Sequence, residues 1–134
     1  NVAGHRLSTA EMEEVVSSHP MVAECAVIGI EDELKGQIPI ALVVLRSGTL
    51  IERFLLETEI IQSVREQIGP VAALKTVTIV DRLPKTRSGK ILRKLLRAIA
   101  DGNTYAIPST IDDPLIIDEI VTTFKEHRIG NISA

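Results

Sequence analysis

The sequence contains very few aromatic residues, with only Phe54, Tyr105 and Phe124 among 134 residues and no tryptophan. Proteins that bind single-stranded nucleic acids stack the bases on aromatic rings. The scarcity of rings therefore argues against that class of protein. Hydrophobic residues nevertheless make up 45% of the chain, which is ordinary for a globular domain, so we expect a core built from valine, isoleucine, leucine and alanine.

Cysteine and long apolar runs are also scarce. Cys25 is the single cysteine, so no internal disulfide can form, and its apolar surroundings, "AECAVIG", predict a small buried residue. No apolar stretch approaches the roughly 20 residues of a membrane-spanning helix, and no signal peptide is visible. We therefore expect an intracellular protein, in the bacterial cytoplasm or the mitochondrial matrix, with no membrane partner.

The positive charge is concentrated in one part of the chain. The formal net charge is −3, but residues 85–97 contain no acid. A local positive patch on an acidic domain favours a small anion over a long nucleic acid as the ligand. The basic residues of this stretch are Lys85, Arg87, Lys90, Arg93, Lys94 and Arg97.

The pattern of apolar residues and turn signals predicts an α+β domain, with a small sheet of about three main strands flanked by helices. Ser8 and Glu11 have the spacing of a capping box at the start of the first helix. Leu50, Phe54 and Val64 belong to the apolar stripe predicted for the long helix. The predicted order is helix 9–18, antiparallel strands 22–30 and 38–46, helix 50–68, strand 74–81, a helix from Ile91 closed by Asp101-Gly102, and helix 114–126.

The stretch "LPKTRSGK" (83–90) is a stiff basic loop. Pro84 restricts it, Gly89 allows unusual backbone angles, and Lys90 is expected at the start of the next helix, where backbone N–H groups favour anions. The loop does not match the P-loop motif, because Pro84 replaces the first glycine and Ile91 replaces the magnesium-binding serine or threonine. Taken alone, it also fits a solvated basic surface.

Two long stretches carry a resemblance to a known family. "NVAGHRLSTAEMEEVVSSHPMVAECAVIGIEDELKGQ" and "DRLPKTRSGKILRKLLRAIADG" resemble the C-terminal domain of AMP-forming short-chain acyl-CoA synthetases, in the acetyl- and propionyl-CoA synthetase branch of the acyl-adenylate-forming enzymes. "REQIGPVAALK" and "TIDDP" lean toward propionyl-CoA synthetase. The resemblance implies that residues 1–134 form one C-terminal domain of a larger synthetase, without its hinge and its large N-terminal ATP- and acyl-binding domain.

The resemblance also implies a two-step reaction. A short-chain carboxylate, propionate or acetate, reacts with ATP to give acyl-AMP, and the acyl group then passes to CoA, while the C-terminal domain rotates between two poses. Lys90 would be the catalytic lysine of the first step and a target of a lysine acetyltransferase and a deacylase. ATP, Mg²⁺ and CoA would be the cofactors, and the isolated domain would be inactive.

Further site residues follow from the same resemblance. Ala3 and Gly4 would let the CoA pantetheine pass along the backbone, Arg65 would contact the CoA nucleotide, and Arg6 would contact the phosphate of ATP or AMP. A magnesium ion is expected near three positions, largely through backbone oxygens. These positions are Ser17, His19 and Val22.

Two alternatives remain open at this point. The chain could be a free-standing binding or regulatory module of the same fold, or it could belong to an adenylating enzyme that delivers acyl groups to a carrier protein. The stretches "GHRLSTAEMEE" and "LPKTRSGKILR" favour CoA as the acceptor.

Overall fold

The computed structural model describes residues 8–34, 36–70 and 73–131, which form four helices and one three-stranded sheet. The α+β prediction is confirmed. No helix in this described part is both long and apolar enough to cross a membrane. The elements are α1 (Thr9–Ser17), β1 (Val22–Asp32), β2 (Gly36–Leu45), α2 (Arg53–Gln67), β3 (Thr76–Ile79), α3 (Arg93–Asp101) and α4 (Ile116–Glu126).

The sheet is mixed, with strand order β1-β2-β3. β1 and β2 are antiparallel, as predicted, while β3 runs parallel to β2 after the crossover through α2. The two antiparallel strands extend beyond the predicted strand ends at residues 30 and 38, to Asp32 and Gly36. Pro39 faces Gly29 of β1 and precedes the part of β2 that pairs with β3. It therefore lies where β2 has a strand on one side only, a position at which sheets tolerate proline.

The sheet separates two hydrophobic cores, because successive side chains of a strand point to opposite faces. One face packs against α1 and α2 and is called here the α1/α2 face; the other packs against α3 and α4 and is called the α3/α4 face. Sheet residues on the α1/α2 face include Val22, Cys25, Val27, Ala41 and Val43. Sheet residues on the α3/α4 face include Ala26, Ile28, Ile30, Ile40 and Leu42.

The ends of the helices follow local signals in the sequence. The Ser8 hydroxyl caps α1 by accepting a hydrogen bond from the Glu11 N–H at 3.1 Å, as predicted. Gly102 ends α3 with a left-handed φ of 71°, which is the usual role of glycine after a helix. However, α3 begins at Arg93 rather than at Ile91.

The apolar stripe predicted for α2 is only partly correct. Val64 is buried as predicted, but Leu50 and Phe54 are 97% and 71% exposed. The Glu52 carboxylate accepts from the backbone N–H groups of residues 54 and 55, so the helix begins after Leu50. The residues that α2 buries, Leu56, Ile60 and Val64, recur at i, i+4 and i+8.

The last helix starts slightly later than the predicted helix 114–126. Leu115, an apolar residue of that segment, precedes α4 and is 65% exposed. The residues that α4 buries are Ile116, Ile117, Ile120 and Phe124.

Candidate functional site

The loop that contains Lys90 is a tight hairpin, formed by residues 84–92 and called here the basic hairpin. The Thr86 N–H donates to the Lys90 carbonyl at 2.9 Å, and the Leu92 N–H donates to the Pro84 carbonyl at 2.9 Å. Gly89 has φ of 94°, in the left-handed region that favours glycine. The expected flexibility at Gly89 is thus used to close a turn with Lys90 beside it.

The basic hairpin is fixed along one side to the segment 108–112. The Arg87 N–H donates to the Thr110 carbonyl at 3.0 Å, and the Asp112 N–H donates to the Lys85 carbonyl at 2.8 Å. The Arg87 guanidinium also donates to the Ser109 carbonyl at 3.1 Å. This side of the hairpin is therefore covered.

Two further cations of the basic stretch are anchored to the β1 side of the domain. Lys85 pairs with Glu24 at 2.5 Å, and Arg93 pairs with Glu13 of α1. The Glu13 carboxylate also accepts from the Val27 N–H at 3.1 Å. The hydrogen bond to Glu13 holds the pKa of Arg93 above its ordinary value. Lys85, Arg87 and Arg93 thus each have a partner within the domain.

The other three cations of the basic stretch are exposed and lie together. Within the described residues, no hydrogen bond or ion pair involves the side chain of Lys90, Lys94 or Arg97. All three line one groove of about 720 Å³, together with Tyr105. We call it the basic groove; its apolar lining includes Ile91, Leu92, Leu95, Ala98, Ala106 and Pro108.

The structure corrects the predicted setting of Lys90. Its backbone is held inside the basic hairpin, where the Lys90 N–H donates to the Thr86 hydroxyl at 3.1 Å. The first helical residue is Arg93, so Lys90 does not lie at a helix N-terminus as predicted. What the hairpin provides is a fixed backbone that carries an exposed, unpaired ammonium group.

Arg65 lies far from Lys90 in the architecture, on α2 and therefore on the α1/α2 face. It is exposed and lines a small cavity of about 110 Å³, together with Lys75 and Ala73. Ala73 has φ of 55°, which is uncommon for a residue other than glycine. Arg65 and Lys75 have no ion-pair partner among the described residues. The structure does not bring Arg65 and Lys90 together.

The side chains at the predicted magnesium positions are already occupied. The Ser17 hydroxyl donates to a carbonyl of α1 at 2.9 Å. His19 Nδ1 accepts from the Met21 N–H at 3.1 Å, and its Nε2 is 2.7 Å from Glu59. Val22 is buried and donates its N–H to the His19 carbonyl. These side chains do not fit a metal centre, and the magnesium site stays a prediction that depends on carbonyl oxygens alone.

Three predicted site residues, Ala3, Gly4 and Arg6, lie outside the described residues. Cys25 is buried, as predicted, and its thiol donates to the Glu13 carbonyl at 3.4 Å. Burial raises the pKa of the Cys25 thiol to about 12. Because the thiolate is the reactive form of cysteine, this residue acts as a core side chain.

Three parts of this site were not predicted from the sequence. Glu13 and Glu24 are distant in the chain from the cations that they hold, and the segment 108–112 lies well beyond the hairpin that it covers. Tyr105, one of the few aromatic residues, lines the basic groove. Its rarity was a signal that could have directed attention to it.

Comparison with known proteins identifies the family of this chain. The family described as AMP-binding enzyme C-terminal domain matches residues 11–90. The mitochondrial acyl-CoA synthetase short-chain family member B of Dictyostelium discoideum is 50% identical over 131 residues, which are 98% of this chain and 19% of that protein. An acetyl-coenzyme A synthetase of Penicillium chrysogenum is 48% identical over 130 residues, which are 96% of this chain and 19% of that protein.

A solved structure resembles the fold as well as the sequence. The crystal structure of the Brucella canis acyl-CoA synthetase superimposes with a TM-score of 0.66 and 35% identity, over 72% of this chain and 18% of that chain. The present chain thus spans about a fifth of the length of the relatives that it matches. The family match, the identities and the shared fold together show that this chain belongs to the AMP-binding enzyme C-terminal domain family of the acyl-CoA synthetases.

Proposed function

We propose that this chain is the mobile C-terminal domain of an AMP-forming synthetase that activates a short-chain carboxylate, propionate or acetate. In the first step a carboxylate oxygen attacks the α-phosphorus of ATP, pyrophosphate leaves, and acyl-AMP forms. In the second step the sulfur of CoA attacks the acyl carbon, the thiol gives up its proton, and AMP leaves. The observation that carries the proposal is the unpaired ammonium group of Lys90 on an anchored hairpin.

Lys90 suits the first step because two anions must meet there. A cation between the carboxylate and the phosphate oxygens offsets their repulsion and holds them at reacting distance. The backbone of Lys90 is fixed by both of its hydrogen bonds to Thr86, so only side-chain torsions need to be ordered on binding. A lysine ammonium is a compact point charge, whereas the planar fork of arginine demands a wider site.

The two faces of the sheet support a rotation of the domain between the steps. The basic hairpin borders the α3/α4 face, since Ile91 and Leu92 pack against that core. Arg65 belongs to α2, whose buried residues pack on the other face. One orientation against a compact active site can present only one of these faces, so the two steps require two poses of the domain.

The second pose would use the α1/α2 side for CoA. We propose that Arg65 contacts the CoA nucleotide, and that Ala3, Gly4 and Arg6 have the roles that the family assigns to their positions. ATP, Mg²⁺ and CoA are the cofactors of the whole synthetase. None of the roles proposed for the residues of this domain depends on a bound metal.

Lys90 is also exposed enough to be modified. We propose that a lysine acetyltransferase and a deacylase regulate the synthetase at Lys90, because acylation removes the positive charge and adds bulk. The first step should then stop while the second continues. We further propose an intracellular location, in the bacterial cytoplasm or the mitochondrial matrix.

The test uses the full-length synthetase, as wild type, Lys90→Ala and Lys125→Ala. Lys125 is an exposed lysine of α4 and serves as the matched control. Pyrophosphate release with propionate and with acetate reports the first step, and CoA consumption from supplied propionyl-AMP reports the second. We expect Lys90→Ala to slow the first step by at least ~10²-fold, the usual effect of removing one fixed electrostatic donor, and to leave the second largely intact.

Equal losses in both steps, or unchanged pyrophosphate release, would contradict the role of Lys90. Formation of acyl-AMP without any consumption of CoA would favour delivery to a carrier protein instead. The relative rates with the two acids would rank the substrates. Arg65→Ala is the reciprocal variant, since it should impair the second step and spare the first.

A further inference from the structure

We propose that the basic groove is the surface through which this domain docks, during the first step, onto an acidic patch of the remainder of the same protein. The inference rests on the proposed function and adds the surface that positions Lys90. It assigns to Lys94, Arg97 and Tyr105 a positioning role that acts through Lys90.

Half of the cations in the basic stretch have a partner within the domain, and half do not. Of the six basic residues in 85–97, Lys85, Arg87 and Arg93 are engaged by groups of this domain. The remaining three, Lys90, Lys94 and Arg97, line the basic groove together with the already paired Arg93. Three uncompensated positive charges on one concave surface predict a partner surface of opposite sign.

The basic hairpin leaves one of its sides open. One of its sides is covered by the segment 108–112, and Lys85 binds it to Glu24 of β1. The side that remains open faces the basic groove, which Lys90 lines. Lys90 cannot reach a substrate held by another domain unless the surface around it also lies against that domain.

The composition of the basic groove fits a docking surface better than a site for a free anion. Its lining is mostly apolar, and Tyr105 remains 37% exposed beside the arginine Arg97. Protein interfaces combine an apolar centre with a polar rim and are enriched in tyrosine and arginine. Lys94 and Arg97 are three residues apart on α3, so they share one face of the helix.

The length of the relatives identifies the occupant. This chain spans about a fifth of the proteins that it matches. The remaining four fifths would be connected to this domain in one polypeptide, at a high effective concentration. A weak, charge-guided contact is then sufficient for docking, and it can be released when the domain rotates.

The experiment uses the full-length synthetase with the double reversal Lys94→Glu/Arg97→Glu. The matched control is Lys125→Glu/Arg128→Glu, an exposed pair with the same spacing, of which Lys125 lies in the last turn of α4 and Arg128 just after the helix. We expect the groove variant to slow pyrophosphate release by about tenfold or more, because like charges would face each other across the contact. CoA consumption from supplied acyl-AMP should stay within about twofold of wild type, since the second pose uses the other face.

Ionic strength gives a second readout that a merely structural role would not change. Raising the salt concentration should slow the first step of the wild type, because screening weakens exposed charge pairs. The same screening should partly restore the first step of the double-reversal variant, because it weakens the repulsion between like charges. The neutral variant Lys94→Gln/Arg97→Gln should show a smaller loss with little salt dependence. Unchanged pyrophosphate release in both groove variants, or equal losses in both steps, would overturn the docking inference.

Failure of this inference can be told apart from failure of the proposed function. If Lys90→Ala abolishes pyrophosphate release while the groove variants do not affect it, Lys90 keeps its role and only the docking surface is wrong. If Lys90→Ala leaves pyrophosphate release unchanged, the proposed function itself fails. Circular dichroism and thermal unfolding of each variant establish that the domain remains folded.

Discussion

Thr86 holds both backbone polar groups of Lys90. Its hydroxyl accepts from the Lys90 N–H at 3.1 Å, and its own N–H donates to the Lys90 carbonyl at 2.9 Å. The hydroxyl of Thr86 is also 3.0 Å from that of Ser88. The position of the candidate catalytic lysine is therefore set by a residue that has no charge of its own.

Replacing Thr86 by valine should test this relationship. Thr86→Val keeps the shape and the backbone bond but removes the hydroxyl, so the Lys90 N–H loses its acceptor. A hydrogen bond of this kind contributes about 1 kcal/mol, which corresponds to about a fivefold slower first step in the full-length synthetase. Thr86→Ser retains the hydroxyl and should be near wild type in pyrophosphate release. A Thr86→Val variant as fast as wild type would show that the hydroxyl does not position Lys90.

Glu13 should matter for stability more than its exposed neighbour on α1. Its carboxylate binds the Arg93 guanidinium and the Val27 N–H on the outer edge of β1. We expect Glu13→Ala to lower the free energy of unfolding by about 1–2 kcal/mol, as one backbone hydrogen bond and one partly exposed ion pair are lost. Urea denaturation of the domain measures the change.

The control for Glu13 is Glu14→Ala. Glu14 is exposed and its carboxylate has no partner among the described residues, so we expect a change within about 0.5 kcal/mol. Equal effects of the two substitutions would mean that the network around Glu13 contributes nothing specific.

Arg82 should make the stability of the domain depend on pH in the acid range. It donates hydrogen bonds to Glu119 and to Asp113, and these bonds hold the pKa of both carboxyl groups below their ordinary values. The native state therefore binds fewer protons than the unfolded state, and stability falls as pH falls below about 4. Arg82→Ala should reduce stability near neutral pH and flatten this dependence.

Urea midpoints measured from neutral pH down to about pH 2, around the ordinary carboxyl pKa values, would check the prediction for Arg82. Lys125→Ala, which removes an exposed cation of α4, should leave the shape of the curve unchanged. Parallel curves for wild type and Arg82→Ala would count against the network.

Gly130 should not accept a side chain. Its φ is 68°, and a Cβ atom there would lie 2.1 Å from the carbonyl oxygen of Ala100. Gly48 has a similar φ of 77° but nothing within 4 Å of such a Cβ. We expect Gly48→Ala to cost about 1–2 kcal/mol through backbone strain alone, and Gly130→Ala to cost about 3 kcal/mol or more because overpacking is added. Urea denaturation of both variants separates strain from collision.

Most of the fold could be predicted because its signals are local. Ser8 and Gly102 marked helix ends, small and β-branched residues marked the first strand, and alternation of apolar residues marked the third. The phase of α2 was only partly predicted because Phe54 and Leu50 are as apolar as the buried Leu56, so the pattern fits more than one helix face. Periodicity alone could not distinguish these registers.

The candidate site was predictable only in part, for a related reason. Lys90 and its hairpin lie within a few residues of each other, so the motif contained them. The acids that hold the hairpin lie far from it in the chain: Lys85 and Glu24 are 61 residues apart, and Arg93 and Glu13 are 80 residues apart. Sequence reasoning treated all six cations alike, because which of them are neutralised depends on tertiary contacts.

The two faces of the sheet also have a consequence for how the chain folds during synthesis. In the α1/α2 face, α1 precedes β1 and α2 lies between β2 and β3 in the chain. Both helices of the α3/α4 face follow Lys90. A nascent chain that ends at Lys90, where the family match also ends, has the candidate catalytic residue but leaves Ile28 and Leu42 uncovered. Such an intermediate is prone to aggregation until α3 and α4 emerge, so the folding unit must extend beyond the family match to the buried Ile129.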